Sequence, residues 1–383
     1  MTVVVKIGTS SLTEKDGSFC NEKLKDIVRQ VADLKDAGNS VVIVTSGSIA
    51  TGFRRLGYNQ RPRSVAAKQA AAAVGQGILI EEYTKYLYKR GYVGAQILLT
   101  RGDFADKRRY DNAFSAITEL LKNGAVPIIN ENDTISIEEL RFGDNDMLSA
   151  EVAAMIHADL LVIMTDIDGL YTNDPRKDEN AKHIDYIDAV TQSVEALGGG
   201  AASELSTGGM RSKITAAALA TIAGVPVFIC SFKDENSIVN SIDQSTRGTY
   251  FKAEKYNLKT RLQWMAFYSK CKGRLYIDAG AAKALTEGKK SLLPSGIVSV
   301  EGKFKAGDVV DVYSSENLFL GRGICNYEKS MLEEIKNESD KTKKQSVAIH
   351  RDNWVESEKI QLIRDEETVQ KLREKNEKKV NDK

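Results

Sequence analysis

The sequence predicts an α/β protein, with an open, mostly parallel sheet sandwiched by helices and then a small β-rich domain. Over roughly the first 230 residues, short β-branched apolar runs alternate with longer stretches of helical periodicity. Those runs are apolar almost throughout, as strands covered on both faces must be. After about Lys252 the pattern changes to short strand-like segments separated by Gly and Ser at near-regular intervals, which predicts the small domain. A length of 383 residues suits two domains and a tail.

Thr2–Ile7 reads as a strand running into the turn at Gly8. A helix follows over about Asn21–Ala37, stopped by Gly38. Ser40–Thr45 (SVVIVT) is the second strand. Ser64–Arg90 has helical character, with Gly75 and Gly77 expected to break or kink it. Further strands are expected at Tyr92–Leu99, Ala125–Asn130 and Leu160–Thr165, and helices near Asp106–Asn123 and Asn145–His157. A helix from about Gly209 to Ala223 and a strand at Val225–Ile229 complete a first domain taken as residues 1–252. The segments GRLYID, GIVSVEG, GDVVDVY and LFLGRGIC supply strands of a second, residues 271–355, closed by Ser346–Trp354. Glu328–Gln345 is rich in Lys and Glu and reads as an exposed insertion or helix. Residues 356–383 form a charged tail, either a solvated helix or a frayed end.

Composition excludes several classes of function. A formal charge of +1 argues against polyanion binding by the whole chain. Met1–Gly8 reads as a strand and not as a leader peptide, and no apolar run approaches a membrane span, so a soluble protein without a membrane partner is expected. Cys20, Cys230, Cys271 and Cys325 are scattered with no CxxC pair, which fits free thiols in a cytoplasmic protein. His157, His183 and His350 stand apart from any nucleophile or metal-ligand pattern, so a Ser–His–Asp hydrolase or a His-ligated metal enzyme is a poor fit.

Chemistry is expected at the carboxyl ends of the strands, where loops and helix N-termini present backbone N–H groups. The polar and glycine-rich sequences fall there: Lys6-Ile7-Gly8-Thr9-Ser10, Thr45-Ser46-Gly47-Ser48, Asn130-Glu131-Asn132-Asp133, Phe142-Gly143-Asp144-Asn145-Asp146, Thr165–Tyr171 and Ser206–Lys213. Glycines that admit phosphate oxygens, helix N-termini and the lysines Lys6 and Lys213 together point to phosphoryl transfer. Neither GxxxxGK[ST] nor GxGxxG is present, so the phosphates are held by another arrangement. Taken singly, each loop also has a structural reading: a strand ending in Gly, or an Asx-rich turn.

The ordered set VVKIGTSSLT, VVIVTSGSIATG, LLTRGDF, VPIINENDT, FGDNDMLSA, TDIDGLYTNDPR and STGGMRSK resembles the amino acid kinase family over roughly residues 2–250. Within it the resemblance is to the branch that phosphorylates free glutamate, with INEND and GDNDxLSA the most specific motifs. KGRLYIDAGAAKAL and SLLPSGIVSVEGKFKAGDVVDV resemble a PUA domain, an architecture shared by many members of that branch. The branches acting on N-acetylglutamate, aspartate and UMP share the fold and are less favoured by INEND and the PUA-like domain.

The resemblance implies ATP and Mg²⁺ as cofactors and L-glutamate as substrate. Lys6, Asp146 and Lys213 would be catalytic, with Asp146 orienting the lysines or a Mg²⁺-bound water; no metal-ligating residue is assigned. Ser46, Asp133 and Asn145 would hold glutamate, and Asp133 can pair with an α-ammonium that an N-acylated substrate lacks. Lys6, Gly8, Thr165, Asp166 and the loop Thr207, Gly208, Gly209, Met210, Arg211, Ser212 and Lys213 would hold ATP. Structural readings stay open for three of these: Asn145 as a helix cap, Asp133 in a salt bridge, and Ser46 in a tight turn. Ser206 stands where the family often has glycine, and the tail beyond Val355 exceeds the family pattern. The resemblance further implies a homo-oligomer, feedback inhibition by proline, and hand-off of the product to glutamyl phosphate reductase. RNA binding is the competing reading of the PUA-like domain, but residues 271–330 hold only nine Lys/Arg against seven Asp/Glu.

Overall fold

The computed structural model describes residues 1–14, 18–136, 145–191, 193–194, 197, 209–254, 262, 264–269, 271–337 and 346–357. The chain divides into two compact units, Met1–Asp103 with Arg108–Asn257, and Phe104–Lys107 with Leu258–Lys383.

The first unit is built on strands β1 (Thr2–Ile7), β2 (Ser40–Thr45), β3 (Gly94–Leu99), β4 (Val126–Glu131), β5 (Leu160–Thr165), β6 (Leu170–Tyr171), β7 (His183–Ile184), β8 (Tyr186–Ile187), β9 (Val227–Ser231) and β10 (Gly248–Phe251). Eight of them form one sheet in the order β3-β4-β2-β1-β5-β9-β10-β8, and β6 pairs with β7 in a separate two-stranded ribbon. Every pairing in the large sheet is parallel except β9 with β10. β4 and β5 are buried from end to end, and β1 and β2 at all but their first residue, which explains their largely apolar sequences. The Asn21–Asp36 helix turns Leu24, Ile27, Val28, Val31 and Leu34 inward at helical spacing, onto a core that includes Val3, Val5 and Ile43.

The Val65–Lys89 helix corrects one expectation. It runs unbroken through Gly75 and Gly77, with Ser64 capping it by accepting a hydrogen bond from the Ala67 amide. The glycines serve packing instead. A Cβ on Gly75 would lie 1.8 Å from the Ser48 carbonyl oxygen, and one on Gly52 would lie 2.0 Å from that of Ala71. Two helices, Ser48–Gly52 and Val65–Lys89, therefore cross with their backbones in contact, which only glycine permits. The flanking Ala, Val, Ile and Leu residues carry the helix across both positions.

In the second unit, β11 (Gly273–Ile277), β12 (Ile297–Gly302), β13 (Val309–Ser314), β14 (Phe319–Cys325) and β15 (Ile349–Glu356) form a sheet in the order β12-β11-β13-β14-β15. Its core contains Leu275, Ile277, Val310, Val312, Cys325 and Ile349. The buried Asp311 accepts from the Arg322 guanidinium at 2.8 Å, and Arg322 also donates to the Ser269 carbonyl at 2.9 Å. A helix at Ala279–Thr286, capped by Asp278, was not anticipated as an element, and Lys329–Asn337 is helical. The tail from residue 358 and residues 338–345 lie outside the described residues. Among the described residues, no helix is long and apolar enough to cross a membrane.

Candidate active site

The sheet reverses its order of connection at β1, with β2, β4 and β3 to one side and β5 and β9 to the other. A crevice outside the carboxyl ends of the strands is expected at such a point. Lys6, next to last in β1, pairs with Val44 of β2 and Ile163 of β5 and so stands on that dividing line.

Its side chain is met there by the first residue of the Asp146–Met155 helix. Lys6 Nζ lies 2.5 Å from Asp146 Oδ1, with side-chain exposures of 2% and 0%. From the first turn of the Met210–Ile222 helix, Lys213 Nζ reaches Asp146 Oδ2 at 3.1 Å and Ser212 Oγ donates to the same oxygen at 2.7 Å. Two helix N-termini and two ammonium groups thus meet at one buried carboxylate. The position suits Asp146, because a negative charge in the first turn complements the partial positive charge of a helix N-terminus. Helix N-termini and ammonium groups are also the features that suit a bound anion.

On the β2–β4 side, Asn145 directly precedes Asp146. It occupies the cap position, yet its side chain makes no capping hydrogen bond. Its Nδ2 donates instead to the Thr45 carbonyl and, at 2.6 Å, to Asn130 Oδ1. Capping therefore does not account for Asn145. Asn130 Oδ1 also accepts from the Glu131 amide at 2.9 Å, while its Nδ2 donates to Gln76 Oε1 at 2.7 Å. The hydroxyl of Thr45 bonds that of Tyr83 at 3.0 Å. Burial pushes the Tyr83 phenol well above its usual range, so it stays neutral and able to donate. Ser46 is buried at the end of β2, and its hydroxyl has no protein partner among the described residues. Asp133 accepts from Ser48 Oγ at 2.6 Å.

On the β5 side, Thr165 and Asp166 end the strand with their side chains 3.3 Å apart, and Lys233 donates to the Asp166 carbonyl at 2.8 Å. Gly209 is extended and leads into the helix that begins at Met210 and carries Arg211, Ser212 and Lys213. Gly8 is extended too, and a Cβ there would sit 3.6 Å from Lys6 Nζ, so the first loop abuts the lysine. Thr207 and Gly208, expected to contact ATP, lie outside the described residues. The structure thus gathers Lys6, Asp146, Ser212 and Lys213 directly, and it links Asn145 to the ends of β2 and β4. Sequence reading placed Thr45 and Ser48 in the loop that ends β2 without giving either a role, and it missed Gln76 and Tyr83 as members of this region. The available signal was slight: Gln76 is a lone amide in the AAAAVGQG stretch of a helix otherwise made of small residues there.

The sequence pattern of the amino acid kinase family matches residues 1–231. The chain belongs to the amino acid kinase family. The PUA domain pattern matches residues 273–349, so this member carries a PUA domain after its kinase domain. The glutamate 5-kinase of Streptococcus pneumoniae strain Hungary19A-6 is 50% identical over 94% of this chain and 98% of its own length. That of Streptococcus sanguinis is 51% identical over 92% and 95%, and that of Streptococcus suis 49% over 92% and 98%. As an amino acid kinase the protein is a phosphotransferase, and ATP is its phosphoryl donor.

Proposed function

We propose that this chain transfers the terminal phosphoryl group of ATP to the side-chain carboxylate of L-glutamate, giving γ-glutamyl phosphate, the first step of proline biosynthesis. The observation that carries the reaction class is the convergence of Lys6, Lys213 and two helix N-termini on Asp146. The substrate follows from the 50% identity to glutamate 5-kinases over nearly the whole chain.

The nucleophile is a carboxylate, ionised at neutral pH, so the reaction needs no general base. Catalysis then consists of in-line positioning and stabilisation of the charge that moves between the phosphates and the acceptor. Lys6 and Lys213 supply that stabilisation. Asp146 holds the two ammonium groups at a fixed separation before ATP arrives. Thr165 and Asp166 bind the nucleotide from the β5 side, together with Gly8 and the segment Thr207–Lys213. Ser46, Asp133 and Asn145 bind glutamate from the β2–β4 side. β2 and β4 lie to one side of β1 and β5 to the other, a strand order that supports approach of the two ligands from opposite sides of Lys6 for in-line transfer.

Mg²⁺ in such reactions is held largely by the substrate phosphates. Asp146 already engages two lysines and Ser212, so its donor set suits orienting those groups better than ligating a cation. We place Mg²⁺ on the ATP phosphates. We assign the transfer to residues 1–252, with residues 271–355 as the appended domain.

The product is an acyl phosphate, open to attack by water, so hand-off to glutamyl phosphate reductase belongs to this reading. An unchanged product half-life with reductase and its reduced cofactor both present would count against it. Homo-oligomerisation and inhibition by proline belong to it as well, read by sedimentation and by proline titration of the glutamate-dependent rate. The test of the function itself is ADP release from Mg-ATP with L-glutamate, N-acetylglutamate, aspartate or UMP, with hydroxylamine to trap acyl phosphate. Glutamate-dependent turnover with hydroxamate formation is expected, and turnover with another acceptor alone would overturn the substrate assignment.

A further inference from the structure

The amide group of Asn145 has only one orientation open to it, and residues not assigned to the site decide which. Amide oxygen and nitrogen are told apart by their partners. The Glu131 backbone N–H can only donate, so the Asn130 atom 2.9 Å from it is the oxygen. Asn130 Nδ2 therefore points the other way, toward Gln76 Oε1 at 2.7 Å. The Thr45 carbonyl can only accept, and Asn130 Oδ1 is already fixed as an acceptor. Asn145 must present its nitrogen to both of them, and both of its N–H groups are then used. Its Oδ1 has no donor among the described residues.

We propose that Gln76 and Asn130 are positioning residues that hold the Asn145 carboxamide with its oxygen toward the bound amino acid, so that Asn145 reads the α-ammonium and not the α-carboxylate. This rests on the proposed function and sharpens its substrate class. An acceptor oxygen attracts an ammonium and repels a carboxylate. Asn145 Oδ1 and the Asp133 carboxylate are then two acceptors for one ammonium. Asp133 stands three residues after Asn130 on the segment that follows β4. The site would recognise a free α-amino acid by its ammonium, and an N-acylated or 2-hydroxy analogue would lose that contact.

The chain of contacts depends on Gln76. Asn130 is 1% exposed, so removing its acceptor leaves a buried N–H unsatisfied. Asn130 would then turn toward another acceptor and release Asn145. A Glu at position 76 keeps an acceptor oxygen in the same place, whereas Leu removes it.

The experiment compares wild type, Gln76→Leu and Gln76→Glu by steady-state kinetics with L-glutamate, with 2-hydroxyglutarate as a competitive ligand that lacks the ammonium. Gln76→Leu is expected to raise KM for glutamate about tenfold, the scale of one hydrogen bond to a charged group. KM for ATP and the inhibition constant of 2-hydroxyglutarate should move much less, and Gln76→Glu should restore the wild-type preference. Equal weakening of both ligands, or an unchanged KM for glutamate in Gln76→Leu, would overturn the proposal. Failure of Gln76→Glu to rescue would do the same. No glutamate turnover by the wild type is a separate outcome, which removes the functional reading and the ligand with it.

Discussion

Lys6 Nζ stands 2.5 Å from Asp146 Oδ1, and neither side chain has more than 2% exposure. The carboxylate's other oxygen is held by Lys213 and Ser212. Removing one partner of a buried ion pair typically costs about 3–5 kcal/mol, because the remaining charge is left without compensation. Asp146→Asn is therefore expected to lower stability on that scale in the free protein. ATP phosphates would partly replace the missing charge, so the rise in melting temperature on adding ATP should be larger in the variant than in the wild type. Thermal melts with and without ATP check this, and equal shifts would remove Asp146 from the role of charge holder.

Lys6→Ala is expected to lower kcat by about 10²-fold or more, the usual scale for losing a group that stabilises transition-state charge. Steady-state turnover under saturating ATP and glutamate is the measurement. Near wild-type kcat would take Lys6 out of the mechanism.

Asp133→Asn tests the substrate side. The variant keeps an acceptor for the Ser48 hydroxyl but loses the negative charge proposed to pair with the α-ammonium. KM for glutamate should rise with a smaller change in kcat, as for loss of an interaction made equally in the ground and transition states. A fixed KM would show that Asp133 does not bind the substrate.

Gly75 and Gly77 are two residues apart in one helix and should respond in opposite directions. A side chain on Gly75 meets the Ser48 and Gly52 backbones, whereas a Cβ on Gly77 meets nothing within 4 Å. Gly77→Ala should stabilise by about 0.8–1.0 kcal/mol through helix propensity. Gly75→Ala should destabilise by about 1–3 kcal/mol through overpacking, since backbone has to move. Urea unfolding of the two variants separates the cases.

The four cysteines should divide by burial. Cys230 and Cys325 are both 0% exposed. Burial pushes the Cys325 thiol up to about 11 and the Cys230 thiol higher still. At pH 8 a disulfide reagent should modify at most two thiols in the native protein and four after denaturation. More than two fast-reacting native thiols would contradict this burial.

Much of the molecule was legible in the sequence for physical reasons. Strands such as Val3–Ile7 and Leu160–Thr165 are covered on both faces, so nearly every residue must be apolar and the pattern survives any detail of packing. Lys6, Asp146 and Lys213 stood out because charged residues at strand ends and helix starts conflict with that apolar background. Gly75 was misread because a glycine that breaks a helix and one that admits a neighbouring backbone look the same in one dimension. The site's supporting residues left little local trace: Gln76 and Asn130 are 54 positions apart, and Thr45 and Asn145 are 100 apart.

By itself, then, the sequence determined the long strands and helices of the first unit and their order, the residue types at the main strand ends, and hence the class of chemistry. Those follow from local periodicity and from the cost of burying polar groups, both written in consecutive residues. Only the tertiary structure decided which lysine meets which oxygen of Asp146, and that the nitrogen of the Asn145 amide faces Thr45 and Asn130. Such choices are made by hydrogen-bond partners that strand order brings together. A donor facing the only acceptor within reach is a fact of packing, with no period along the chain to reveal it.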